Sequence, residues 1–349
     1  MPYEPPVTLS KPKRRVRMKD IADTLNISLS TVSRALNADT NGRISPEVVA
    51  EVQATAKRLG YISDETAAGL RRQRTFTVGM VVPDILNPVF PPIIKGAQNY
   101  LAKLGYVMFI VYSDNNQNVA TSEIQKLIGR RVDGLILASA FVDDHSVDYC
   151  REQGTPFVLV SRTTKNSSHI AQVLEDSAEG MAQSIEHVYQ LGHRKLVHLA
   201  GPANIFQGLE RRNTFERYCA ERGIDAEVIQ LEAFSTQAGE AGAQRFLAQG
   251  LDSTALLAGN DLIAVGAIKV LREAGVRVPE DISVIGYNDM PLADMLNPPL
   301  TTIAIPHAHL GEKAAKLLVE AIDSPEGPKQ KVWLTPSLVV RQSTAVVAK

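Results

Sequence analysis

The sequence predicts an α/β protein in which a small N-terminal three-helix, helix-turn-helix head precedes a two-lobed core of doubly wound parallel sheets. Three observations carry this. Two short amphipathic stretches meet at tight-turn spacing near residue 26. From residue 76 onward, short and almost continuous apolar runs alternate with amphipathic helical stretches, the texture of strands buried on both faces by crossover helices. Those runs form two like sets, over residues 76 to about 174 and about 175 to 303, too many strands for one small sheet.

In chain order, residues 1–15 are rich in Pro and Lys and are expected to form a basic flexible tail. In "MKDIADTL", Ile21 and Leu25 lie four apart, the spacing of one buried helical stripe. Asn26 follows, a residue that tolerates the left-handed backbone of a tight interhelical turn. Ser28 stands where an N-cap belongs, and Ala22, Ile27 and Val32 let two helices cross closely. The second helix leaves Leu29, Ser30, Thr31, Ser33 and Arg34 less committed to a core; in a helix-turn-helix those positions enter the DNA major groove. The same spacing also fits an ordinary αα-hairpin in a small bundle. A third helix over "ISPEVVAEVQATAKRLGYI" starts at Ser45 with Pro46 in its first turn, carries Val48, Val49, Val52, Ala56 and Leu59 on one face, and stops at Gly60.

Charge separates this head from the rest. Residues 1–75 hold 13 Lys+Arg against 8 Asp+Glu, and the remaining 274 residues hold 24 against 30, so the overall charge of −1 conceals a polarised chain. Lys11, Lys13, Arg14, Arg15, Arg17 and Lys19 precede the first helix, and Arg71, Arg72 and Arg74 follow the third, a distribution suited to neutralising phosphates. The 349 residues suggest two or three domains, and 44% apolar residues supply ample core. Cys150 and Cys219 are far apart and form no CxxC, which argues against a disulfide framework or zinc site and fits a reducing cytoplasm. The basic N-terminus lacks an apolar signal core and no run of 18 apolar residues occurs, so neither export nor a membrane span is expected.

The strand-like runs of the core are "FTVGMVVP", "GYVMFIVYS", "VDGLILAS", "TPFVLVS", "KLVHLAG", "TALLAGN" and "DISVIGYND". Between them lie helices such as "PPIIKGAQNYLAKLG" and "SAEGMAQSIEHVYQLG", each closing on glycine. Ligands of such sheets bind beyond the carboxyl ends of the strands, so a ligand between two lobes would meet "PDILNPVF", "SRTTKN", "AGPANIF", "GND" and "YNDMP".

Taken in order, "MKDIADTLNISLSTVSRALN", "ISPEVVAEVQATAKRLGYI", "GLR", "VGMVVPDILNPVF", "LGHRKLVHLAGP", "AGNDLIAVGAIKVLREAGVRVPEDISVIGYND" and "PPLTTI" resemble the lactose-repressor/galactose-repressor family of bacterial transcription regulators, from about residue 16 to about residue 345. The resemblance implies a DNA-binding domain over residues 16–63, a hinge helix or linker over 64–75, and a periplasmic-binding-protein-like effector and dimerisation core over 76–349. It implies three crossings between lobes, with lobe 1 about 76–174 and 304–332 and lobe 2 about 175–303 and 333–345, "KVWLTPSLVV" lying near the second. It further implies a homodimer reading a roughly palindromic operator in double-stranded DNA. The end "QSTAVVAK" lacks a heptad segment of the sort that makes tetramers, which favours the dimer.

Residue by residue, Leu29 and Ser30 match the family's main base-reading pair and Arg34 its recognition-helix arginine, while Thr31, Ser33 and Asn37 carry groups suited to phosphates or base edges. Leu29 can offer only apolar contact, for instance to a thymine methyl, or could instead pack. Leu70 matches the leucine wedged into the minor groove at the operator centre, beside the poor helix former Gly69, or belongs to a plain linker. For the effector, Arg211 matches the arginine that grips the ligand from the second lobe and Phe234 the aromatic stacked on it. Asn260, Asp261 and Asp289 lie in the matching polar loops, and Asn87 and Phe90 come from the first lobe. Asp261 would also be a good N-cap. Ser161 before Arg162 and Asn288 before Asp289 stand where sugar-binding members often carry aspartate. Losing carboxylates while keeping Arg162 and Arg211 points to an anionic effector, a sugar acid or sugar phosphate, rather than a neutral sugar.

Rival classes find little support. There is no G-x-S-x-G, no P-loop and no HExxH, and "HAH" at 307–309 and "DDH" at 143–145 are isolated, so no enzyme, cofactor or metal is expected. A free solute-binding protein is disfavoured by the basic head. Induction and corepression both remain open within the family.

Overall fold

The computed structural model describes residue 14 and residues 16–37, 43–61, 74–250 and 252–347. The chain divides into two compact units, Met1–Gln73 and Arg74–Lys349. The hinge segment, with Leu70, and nearly all of the basic tail lie outside the described residues.

In the first unit, helices α1 (Met18–Leu25), α2 (Leu29–Leu36) and α3 (Pro46–Leu59) enclose Ile21, Ala22, Val32, Ala35, Val52 and Ala56. The turn forms as its residues dictate. Asn26 adopts φ 49° and closes α1, and Ser28 caps α2 by accepting from the Thr31 amide at 3.1 Å. Gly60 ends α3 at φ 71°; Ser45 holds the N-cap position of α3 without a side-chain cap bond.

The second unit contains two six-stranded sheets, each with helices on both faces. Strands β1 (Thr77–Val82), β2 (Val107–Tyr112), β3 (Gly134–Leu137), β4 (Phe157–Val160), β5 (Ala171–Glu175) and β11 (Lys331–Leu334) form the first, in the order β11-β5-β4-β3-β1-β2. Strands β6 (Lys195–Ala200), β7 (Asp225–Gln230), β8 (Ala255–Ala258), β9 (Ser283–Asn288), β10 (Thr301–Ala304) and β12 (Ser337–Val339) form the second, in the order β12-β10-β9-β8-β6-β7. All pairings are parallel except β10 with β12. Central strands are buried from end to end, as their unbroken apolar runs require.

The chain passes between sheets after β5, after β10 and after β11. These passages differ slightly from the expected ones. Glu175 completes β5, Ala304 pairs with Asn288 in the second sheet, and the whole of Lys331–Leu334 pairs with β5 in the first. "KVWL" therefore belongs to the first lobe and only "SLV" to the second. The last passage falls at Thr335 and Pro336, where a residue without an amide hydrogen ends the ladder.

Candidate functional site

The first unit presents one side of α2. Val32 and Ala35 are fully buried against α1 and α3, which turns Leu29, Ser30 and Arg34 outward and leaves Thr31, Ser33 and Asn37 half-buried. Leu29 is 51% exposed, so it does not serve the head's core. The hydroxyls of Ser30 and Thr31 each lie 2.8 Å from Ser28 Oγ, gathering polar groups at the helix N-terminus, where backbone N–H groups also favour anions.

In the second unit, a narrow pocket opens between the carboxyl ends of the two sheets, lined by Asn87, Val89, Phe90, Ser161, Arg162, Glu175, Gln207, Arg211, Phe234, Asn260, Asn288 and His307. Each wall residue is set by its element. Phe90 opens α4 (Phe90–Lys103) after a turn in which Asn87 Oδ1 accepts from the Val89 amide. Ser161, just past β4, takes φ 61°, and Asn288, at the end of β9, takes φ 115°; such strained backbone concentrates where side chains are aimed at ligands. Gln207 and Arg211 lie four apart on the helix Phe206–Arg222 and so share a face. Gly201 makes room for Phe234, whose ring would stand 2.1 Å from an added Cβ. Asn260 caps the helix Asp261–Glu273 through the Ile263 amide at 2.9 Å.

Two guanidiniums dominate the pocket. Arg211 donates to the Gly259 carbonyl at 2.7 Å and to Glu175 Oε1 at 3.3 Å, and its guanidinium lies 3.5 Å from the centre of the Tyr287 ring. Burial pushes the Glu175 carboxyl above its ordinary range, while Arg211 pulls the other way. Arg162 donates to Asn115 Oδ1 at 2.8 Å, and burial draws it down to about 10, so it remains charged near neutrality. His307 is held neutral, its pKa drawn down to about 4 by burial and by Arg211.

Eight of the ten residues expected to contact an effector thus line this pocket. Asp261 and Asp289 do not. The Asp261 carboxylate is buried below the surface, accepting from the Met290 amide at 2.7 Å and from Thr302 Oγ1 at 2.6 Å. Asp289 is paired with Arg341 at 2.7 Å. Both act as clamps on the loop after β9. Conversely, Glu175, Gln207 and Val89 were not expected at the site, and His307, set aside in the sequence as part of an isolated "HAH", also lines it. Glu175 closes an otherwise apolar strand run and Gln207 precedes Arg211 by one helical turn, and both signals were present in the sequence. Among the described residues, no group of three or more His, Cys, Asp or Glu could hold a metal ion, and no helix is long and apolar enough to cross a membrane.

Comparisons with known proteins agree with this architecture. Residues 17–64 match the profile of bacterial regulatory proteins of the lacI family, and residues 185–344 match a periplasmic binding protein-like domain. The HTH-type transcriptional regulator MalR of Streptomyces coelicolor is 30% identical over 341 residues, covering 94% of this chain and 96% of its own. A lac repressor dimer bound to operator and the anti-inducer ONPF superimposes with a TM-score of 0.85 at 25% identity, over 95% of this chain and all of the other. A LacI family transcriptional regulator of Enterococcus faecalis with bound ribose superimposes with a TM-score of 0.70 at 30% identity, over 78% of this chain and all of the other. Its relatives are transcriptional regulators rather than enzymes, and this chain belongs to the lacI family of bacterial regulatory proteins.

Proposed function

We propose that this protein is an effector-responsive, sequence-specific DNA-binding regulator, a repressor of a carbohydrate or sugar-acid catabolic operon, acting in the cytoplasm. The observation that carries the reading is the union in one chain of an outward-facing recognition helix and a polar pocket between two lobes. Leu29, Ser30, Thr31, Ser33, Arg34 and Asn37 would meet bases and phosphates, and Leu70 would wedge the operator centre. The protein would bind as a dimer, as the lac repressor does on its operator. Support for a dimer comes from β2, an edge strand whose Val107, Phe109, Ile110 and Tyr112 are 56%, 43%, 42% and 51% exposed, an apolar edge that monomers avoid.

The effector would act on the lobes. They are joined across the pocket by Arg211 to Glu175, by Gln207 Nε2 to the Ser161 carbonyl, and by the Val142 amide to the Asn204 carbonyl at 2.9 Å. A ligand exchanging contacts with these groups shifts the lobe equilibrium, with coupling of typically about 1–3 kcal/mol. Selection from a pool of random duplexes tests the reading. It should enrich a roughly palindromic site, and Leu29→Ser should leave the melting temperature unchanged while altering the enriched half-site. Failure to enrich any sequence would refute it.

A further inference from the structure

Seven buried side-chain polar atoms among the described residues lack a hydrogen-bond partner, and four of them belong to one pocket: Arg162 Nη1, Arg211 Nε, Glu175 Oε2 and Gln207 Oε1. Folded proteins leave few such atoms, and their concentration here marks places kept for a ligand. Two are donors and two are acceptors. A ligand that satisfies them must both accept and donate, which hydroxyl groups do and a purely apolar or purely anionic molecule does not.

Charge narrows the class further. Arg211 is already matched by Glu175 and by the Gly259 carbonyl. Arg162 is not matched: among the described residues no carboxylate pairs with it, and its one hydrogen-bond partner is the neutral Asn115 side chain. Asp144 and Asp84 act on Arg162 only at a distance: Asp144 accepts from the Phe141 amide and from both the amide and hydroxyl of Ser146, and Asp84 accepts from the Leu86 amide. The lining residues therefore sum to one surplus positive charge, because His307 is neutral and Glu175 balances Arg211. A buried charge without a counter-ion is costly, and a bound anion removes that cost. Phe90 and Phe234 supply apolar surface for a carbon skeleton.

Resting on the effector reading above, we propose that the pocket selects a polyhydroxylated carboxylic acid, its carboxylate seated on Arg162 and its hydroxyls donating to Glu175 and Gln207. The anion site is thus Arg162 rather than Arg211, whose charge the protein itself answers. A single carboxylate matches the single surplus charge, whereas a phosphate dianion exceeds it.

Calorimetry on the full chain tests this with gluconate, glucuronate and galacturonate, each against its neutral parent sugar, and with glucose 6-phosphate. At least one acid should bind about tenfold or more tighter than its parent. Arg162→Gln, which can still reach Asn115, should reduce acid affinity by about 30-fold or more while changing that of the parent by less than about threefold. Glu175→Gln should raise the ratio of acid to neutral affinity, a readout that does not depend on Arg162→Gln folding. Equal binding of acid and parent, equal weakening of both by Arg162→Gln, or preference for glucose 6-phosphate would overturn the assignment and leave the regulator reading standing. No binding by any probe, with no change in affinity for the selected DNA site, would overturn the effector reading itself.

Discussion

Individual residues show where local chemistry is decisive and where it misleads. Asn26 and Ser28 were readable because a tight turn and an N-cap depend on backbone groups within three residues. Asp261 and Asp289 were not, because their partners Thr302 and Arg341 lie 41 and 52 residues away and only the folded sheet brings them near. Their consequence is a clamp with little slack. Gly286 runs beside Asp261, where an added Cβ would stand 2.1 Å from Oδ1, an oxygen fixed by Thr302. Gly286→Ala should therefore destabilise the protein by about 1–3 kcal/mol through overpacking. Urea unfolding measures it, and a change below about 0.5 kcal/mol would mean that the clamp yields freely.

Strands and helices were legible as elements, but not their places at a sheet's centre or edge. An apolar run reads the same whether a neighbouring strand, a helix or another molecule covers it, and "VMFIVY" gives no sign that it forms the exposed end of the first sheet. The same limit shifted the last passage between lobes, since the pairing of β11 with β5 is set by a partner 159 residues earlier at Gln172 and Lys331. The edge position of β2 gives the proposed dimer a direct test. Phe109→Lys places a charge on the exposed apolar face without entering the core. Sedimentation should show the variant dissociating at concentrations where the wild type stays dimeric, with its melting temperature changed only by the lost association. A variant that remains fully dimeric would move the interface elsewhere.

At the scale of the whole molecule, burial of histidines ties stability to pH. His198, on β6, is fully buried and donates from Nδ1 to the Leu257 carbonyl at 2.7 Å, while Nε2 has no partner. Burial chiefly, with Arg211 and Arg212 adding repulsion, draws its pKa down from 6.5 to about 4. His307 is drawn to about 4 in the same way, and His187 and His193 are lowered as well. Between about pH 6.5 and about pH 4 the unfolded chain binds protons that the folded chain refuses, so these groups make stability fall as pH falls through that window. Glu175 and Asp261, raised by burial, act in the opposite sense, because their charged forms cost most at high pH. The histidine contribution is therefore isolated by comparison. Between pH 7 and pH 5 the wild type should lose about 1–2 kcal/mol more stability than His198→Gln, whose amide can keep the bond to Leu257. Paired urea unfolding curves at the two pH values supply that difference. Equal losses would mean that His198 takes its proton in the folded state, which requires its Nε2 side to open to water and the second lobe to loosen around β6.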